Sequence, residues 1–131
     1  MSRLLLDTNA YSELKRGHPA VAAWVRKSEQ LFFSSIVVGE LLFGFRCGNR
    51  YSINRDELQA FLDRDVVTLL RVGPETADRF GRIAASLRAR GTPLPTNDIW
   101  IAAHAMETGA ELLSLDAHFE KIEGLAWHRP S

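Results

Sequence analysis

Four acidic residues are set into segments that otherwise read as core. Asp7 ends the apolar run Leu4-Leu5-Leu6, and Glu40 interrupts the run from Ile36 to Phe45. Asp98 opens Ile99-Trp100-Ile101-Ala102-Ala103, and Asp116 follows Leu112-Leu113-Ser114-Leu115. A carboxylate buried alone costs several kcal/mol and usually takes up a proton instead. Two carboxylates about 4 Å apart repel by roughly 4 kcal/mol at an effective dielectric near 20. Four converging acids therefore hold protons or hold a cation, and a divalent cation makes all four useful at once. All-oxygen ligation suits hard Mg²⁺ or Mn²⁺ rather than zinc or copper. Metal ions held this way activate a water and stabilise the leaving oxygen in phosphodiester or phosphomonoester cleavage, so the site predicts a phosphoryl-transfer hydrolase.

Other metal-binding residues add little. His18, His104, His118 and His128 show no HxxxH or similar spacing, so no histidine pair supports the ligand set. On its helix His104 lies about 240° round from Asp98, and Trp100 about 200° round, which assigns Trp100 to the core. Cys47 is the single cysteine, which excludes an intrachain disulfide framework and a multi-cysteine zinc site. It is expected to be a small buried or half-buried hydrophobe.

Each acid also has a plainer role open to it. Asp98 in the first turn of a helix is favoured by the helix dipole. Asp7 and Asp116 fit turns after strands. Glu40 would need a buried cationic partner, because its helix is apolar nearly all round. Gly44, at i+4 from Glu40, shares its face and leaves room there for a ligand or a partner's backbone.

The elements that must carry these residues alternate short apolar runs with amphipathic stretches, the pattern of a parallel α/β sandwich. Strands are expected at Arg3 to Leu6, Leu31 to Phe33, Val66 to Leu70 and Leu112 to Leu115. Near-continuous apolar runs fit strands buried on both faces. Thr8 or Asn9 is expected to cap a helix running to about Lys15, stopped by Gly17, and Pro19 to open a second helix ending near Glu29. Ser34 or Ser35 caps the helix carrying Glu40, and another helix covers Arg55 to Asp63. Gly73-Pro74-Glu75 starts a long helix with Ala77, Phe80, Ile83, Ala84 and Leu87 at helical spacing, ended by Gly91. Thr96 or Asn97 caps the helix containing Asp98, with Gly109 as its terminator. Ligands of such sheets gather beyond the C-terminal ends of the strands, where Asp7 and Asp116 fall.

The 131 residues suit one domain, 1–131, with one core. No stretch approaches the roughly 18 apolar residues of a membrane span. The N-terminal apolar triplet meets an acid too soon for a signal-peptide core, so a cytoplasmic protein is expected. Sixteen basic residues balance sixteen acidic ones, so no global field recruits a polyanion. Nucleic-acid binding would need a local patch, and the candidates are Lys15-Arg16, the pair Arg46 and Arg50, and Arg88 with Arg90. Arg46 and Arg50 share a face only if the helix begun before Glu40 lasts that long.

The segments Leu4-Leu5-Leu6-Asp7-Thr8-Asn9, Gly39-Glu40-Leu41-Leu42-Phe43-Gly44, Leu94-Pro95-Thr96-Asn97-Asp98-Ile99-Trp100-Ile101-Ala102-Ala103 and Leu113-Ser114-Leu115-Asp116-Ala117-His118-Phe119 together resemble a PIN-domain protein of the VapC-like toxin family. The resemblance spans nearly the whole chain and keeps the four acids in the family's order. It implies a three-layer α/β/α sandwich with a short, mostly parallel central sheet. It also implies a Mg²⁺- or Mn²⁺-dependent endoribonuclease acting on tRNA, rRNA or mRNA as the toxin of a type II toxin–antitoxin system, and a homodimer checked by a cognate antitoxin. Asp7, Glu40, Asp98 and Asp116 match the family's acidic quartet, Ser114 a small hydroxyl residue near the metal, and Asn9 a polar neighbour. An antitoxin segment would pack across the toxin, with the helix around Glu40 as part of that groove.

Two other functions fit parts of the pattern. A haloacid-dehalogenase-type phosphatase also begins with a strand and an Asp but wants a second Asp two residues on, where this chain has Asn9. A non-catalytic RNA- or partner-binding module would keep the fold and cleave nothing. Metal-dependent turnover of RNA separates the nuclease from the binding module, and the phosphatase would instead act on small phosphomonoesters.

Overall fold

The structure, a computed structural model, describes residues 2–131. Its centre is a five-stranded sheet of β1 (Arg3–Leu6), β2 (Gln30–Ser34), β3 (Val67–Leu70), β4 (Glu111–Leu113) and β5 (Trp127–His128), in the order β3-β2-β1-β4-β5. Every pairing is parallel, with Leu4 beside Leu31 and Leu5 beside Leu112. Leu4, Leu5, Leu6, Leu112 and Leu113 are all buried, which explains why the central strands carry no polar alternation.

Between the strands lie α1 (Thr8–Lys15), α2 (Pro19–Lys27), α3 (Ser35–Cys47), α4 (Tyr51–Leu62), α5 (Pro74–Ala89) and α6 (Thr96–Thr108). The chain steps outward from β1 to β2 to β3, then returns past both to β4. Right-handed crossovers therefore put α1 to α4 on one face of the sheet and α5 with α6 on the other, the three-layer arrangement expected. The direction of winding reverses between β1 and β4, and the switch point of such a sheet opens a crevice beyond its strand ends. Asp7 and Asp116 flank that crevice.

Several boundaries differ from expectation for local reasons. Asp7, not Thr8 or Asn9, is the N-cap of α1, its Oδ1 accepting the Ala10 N–H at 3.0 Å. Helix α2 ends at Lys27, where the Ser28 hydroxyl bonds the Trp24 carbonyl. Ser34 caps α3 by accepting the Ile36 N–H. Helix α4 begins at Tyr51 rather than Arg55, with no side-chain cap; the Tyr51 ring is covered by the Arg46 guanidinium 4.2 Å from its centroid. Helix α3 stops at Cys47, so Arg46 and Arg50 lie in different elements and not on one helical face. Cys47 itself is exposed, contrary to the expected buried role.

On α5, Ala77 faces solvent, and the residue turned inward beside it is Thr76, whose hydroxyl donates to Glu107. Helix α6 begins at Thr96 with Pro95 in the cap position, replacing the expected Thr96 or Asn97 cap. Gly109 ends α6 at φ 71°, a left-handed conformation that favours glycine. Trp100 is half-buried and stacks on Phe80 with centroids 4.0 Å apart. Strand β4 is shorter than expected, and β5 has only two residues, too few for a periodic signal. Among the described residues no helix is long and apolar enough to cross a membrane.

Candidate active site

Asp7, Glu40, Asp98 and Asp116 line one cleft of about 360 Å³, together with Thr8, Asn9, Ser12, Arg16 and Ile101. Four separate elements deliver the acids. Asp7 leaves the end of β1, Glu40 sits mid-way along α3, Asp98 lies in the first turn of α6, and Asp116 follows β4. The four residues singled out by sequence are thus brought together at the winding switch point.

Asp7 is 5% exposed and fully committed. Its Oδ1 caps α1, while its Oδ2 accepts the Ser114 hydroxyl at 2.5 Å. The same Ser114 oxygen accepts the Asp116 backbone N–H at 2.9 Å, so one hydroxyl ties two acids from different strands. Asn9 accepts the Leu115 N–H at 3.1 Å and fastens the start of α1 to the segment after β4. Outside this layer, the Trp127 indole N–H donates to the Ser114 carbonyl. Glu40 has no cationic partner among the described residues. Instead its Oε1 accepts the Thr8 hydroxyl at 2.5 Å and its Oε2 accepts the Asn97 amide at 3.3 Å. Gly44 on the same face opens onto space.

Burial pushes the Asp7 carboxyl up to about 7; the Ser114 and Ala10 hydrogen bonds oppose that rise, and the Asp98 and Asp116 charges reinforce it. Burial also raises the Asp98 carboxyl, against the hydrogen bond from His118 and with the charge of Asp116. Acids held above their ordinary range in a shared cleft are under-compensated for negative charge, which is what a cation site requires. Arg16 reaches the cleft wall, but its guanidinium bonds Glu13 at 2.7 Å rather than any of the four acids.

His118 is the residue that sequence spacing missed. Asp116 caps a short 3₁₀ turn over Ala117–Lys121, accepting the His118 N–H at 2.9 Å. The turn swings the His118 ring back so that Nδ1 lies 3.3 Å from Asp98 and 3.2 Å from Asp116. Asp98, Asp116 and His118 present atoms all within 4.8 Å of one another, and His118 is a single histidine that no paired spacing marks. Asp7 and Glu40 stand outside that close group but line the same cleft, and an oxygen-rich donor set of this kind suits a hard divalent cation. The usable signal was Asp-x-His after a strand, where the acid caps its own turn. Thr8 and Asn97, which fix Glu40, carried no such signal. His104 stays away from the cleft, buried with Nδ1 2.8 Å from the Ser34 hydroxyl.

A sequence model of the PIN domain matches residues 4–125. Ribonuclease VapC2 of Haemophilus influenzae is 33% identical over 128 residues, covering 95% of this chain and 96% of that protein. Ribonuclease VapC1 of Rickettsia felis is 32% identical over 125 residues, covering 93% and 92%. Among solved structures, a DNA-bound VapBC from Salmonella typhimurium superposes with a TM-score of 0.85 at 25% identity, covering 98% of each chain. The acid-lined crevice thus belongs to a fold and a sequence pattern shared along the whole length, and the chain is a member of the PIN-domain family, among its VapC ribonucleases.

Proposed function

We propose that this chain is the toxin of a toxin–antitoxin pair, a divalent-metal-dependent endoribonuclease in which Asp7, Glu40, Asp98 and Asp116 hold Mg²⁺ or Mn²⁺. The observation that carries this reading is the convergence of four acids from four elements on one cleft, with the most buried of them raised to about 7. A bound cation would supply a nucleophilic water and charge stabilisation at the leaving oxygen.

The chain's own residues do the rest. Ser114 holds Asp7 and Asp116 at a fixed separation, and Thr8 with Asn97 fixes both oxygens of Glu40 as acceptors. With its carboxyl pushed up to about 7 by burial, Asp7 would give up bound proton as a cation is taken up, so cation affinity depends on pH. His118 orients the Asp98 and Asp116 carboxylates across the cleft mouth.

The likeness to VapC ribonucleases supports RNA as substrate, and the likeness to a VapBC complex supports a cognate antitoxin. A single domain acting as a homodimer in the cytoplasm completes the reading. Controlled expression in a bacterial host tests it. The parent chain is expected to arrest growth with breakdown of an RNA species, relieved by co-expression of the protein encoded beside it. Arrest that persists in Asp98→Asn would contradict the assignment.

A further inference from the structure

Beside the acid cleft runs a second groove of about 620 Å³, lined by Tyr11, Ser12, Lys15, Arg16, Phe45, Arg50, Asn54 and Glu57. Ser12 and Arg16 border both, so the two depressions adjoin along α1. Thr8, Ser12 and Arg16 repeat at i, i+4 and i+8 and form one bank, starting beside Asp7. At 1.5 Å rise per residue, Arg16 lies roughly 13 Å along the helix from Asp7. Arg50 and Asn54, also spaced i,i+4, supply the opposite bank at the start of α4.

The charge of this groove is opposite to that of the cleft. Lys15, Arg16 and Arg50 face a single acid, Glu57. Among the described residues neither Lys15 nor Arg50 forms an ion pair with a carboxylate. Arg16 uses one nitrogen on Glu13, and a guanidinium has further N–H donors to offer. The chain as a whole is neutral, so Lys15 and Arg50, without ion pairs among the described residues, and Arg16 beside them are a local field rather than a general one. Half-buried Phe45 supplies an apolar wall on which a base can rest. Cations tracking a groove with an aromatic wall are the means by which single strands are held without sequence preference.

We propose that this groove, through Lys15, Arg16 and Arg50, holds the sugar–phosphate backbone of single-stranded RNA flanking the bond presented to the four acids. The proposal rests on the nuclease reading and adds the path of the substrate. The acid cleft repels phosphate until its cation is bound, whereas the groove attracts it at all times, so the flank anchors the strand and the cation completes the seat.

The test is equilibrium binding of a labelled single-stranded RNA in Mg²⁺ to full-length chain carrying Asp116→Asn, which blocks cleavage. Lys15→Ala and Arg50→Ala are added singly and together, with Arg88→Ala on α5 as control, and thermal melts confirm folding. The expected result is a loss of about fivefold for each single variant and more for the pair. The slope of log affinity against log salt should shrink by about 0.7 for each phosphate contact removed. In the parent background the pair should raise KM with kcat within about twofold. Unchanged affinity and slope in the pair, with the parent binding and cutting RNA, overturn the groove and leave the nuclease standing. Intact RNA binding with lost binding of a partner protein also overturns it, by giving the groove to that partner. A folded parent that neither binds nor cuts RNA overturns both readings.

Discussion

The Ser114 hydroxyl donates to Asp7 Oδ2 at 2.5 Å, across 107 positions of sequence. Strands β1 and β4 are neighbours, and the bond sits just past their ends, where the winding of the sheet reverses. It is the link that turns two strand ends into one site. Replacing Ser114 by Ala leaves a buried carboxylate oxygen without its donor, at a cost of about 1–3 kcal/mol. Divalent-ion affinity should fall about 10- to 100-fold, as when other supporting hydrogen bonds of a metal site are removed. Denaturant unfolding and calorimetric titration with Mn²⁺ check the two effects, and a variant with native stability and native affinity would remove Ser114 from the account.

The raised Asp7 carboxyl makes metal-free stability depend on pH. Its folded value, about 7, exceeds its unfolded value of 3.8, so the folded state binds the proton more tightly. That contribution is fully present below about pH 4 and is lost as pH rises through 7. Melts in EDTA should therefore show Asp7→Asn gaining on the parent between pH 5 and 8. Mg²⁺ should raise the parent's Tm more at pH 8 than at pH 5, because the ion competes with the proton. A parent-to-variant difference that stays flat with pH would contradict the assignment.

Glu40 keeps its neighbours in the Glu40→Gln variant, since a Gln side chain still accepts from Thr8 and stays polar beside Asn97. Stability is expected within about 0.5 kcal/mol of the parent, as for substitutions that leave packing intact. Turnover should drop at least about 100-fold, the scale on which a single pre-organised electrostatic contact acts. Full activity in this variant would reduce Glu40 to a structural hydrogen-bond acceptor.

His118 is half exposed, so His118→Ala should fold as the parent does. Its hydrogen bond opposes the rise of the Asp98 carboxyl, and its loss should move that carboxyl further up. Mn²⁺ affinity near neutral pH is expected to fall about 10-fold or more. Titration followed by Mn²⁺ paramagnetic resonance reads this without reference to activity, and unchanged affinity would return His118 to the surface.

The four acids were legible because each breaks an apolar run that the sheet or the core helices require, a conflict only convergence resolves. Ser114 and Asn9 came from the resemblance, and the structure gives both a bond across the strand ends. His118, Thr8 and Asn97 were not legible, since their role depends on which turn or helix start faces the cleft, and no local period encodes that. The same holds for the fold. Leu4 to Leu6 and Leu112 to Leu113 announce strands by unbroken burial, while two-residue β5 exists only because β4 offers it an edge. Asp7 as cap of α1 was hidden by its better claim to chemistry, and it serves both through its two oxygens.

The most direct test incubates purified chain, free of partner protein, with a mixed tRNA and ribosomal RNA pool in Mg²⁺, Mn²⁺ or EDTA, beside Asp7→Asn. Discrete cuts are expected in either metal, none in EDTA, and none from a folded Asp7→Asn. Cuts that persist in EDTA or in the variant, or a folded parent that leaves all the RNA whole in both metals, would contradict a metal-dependent nuclease.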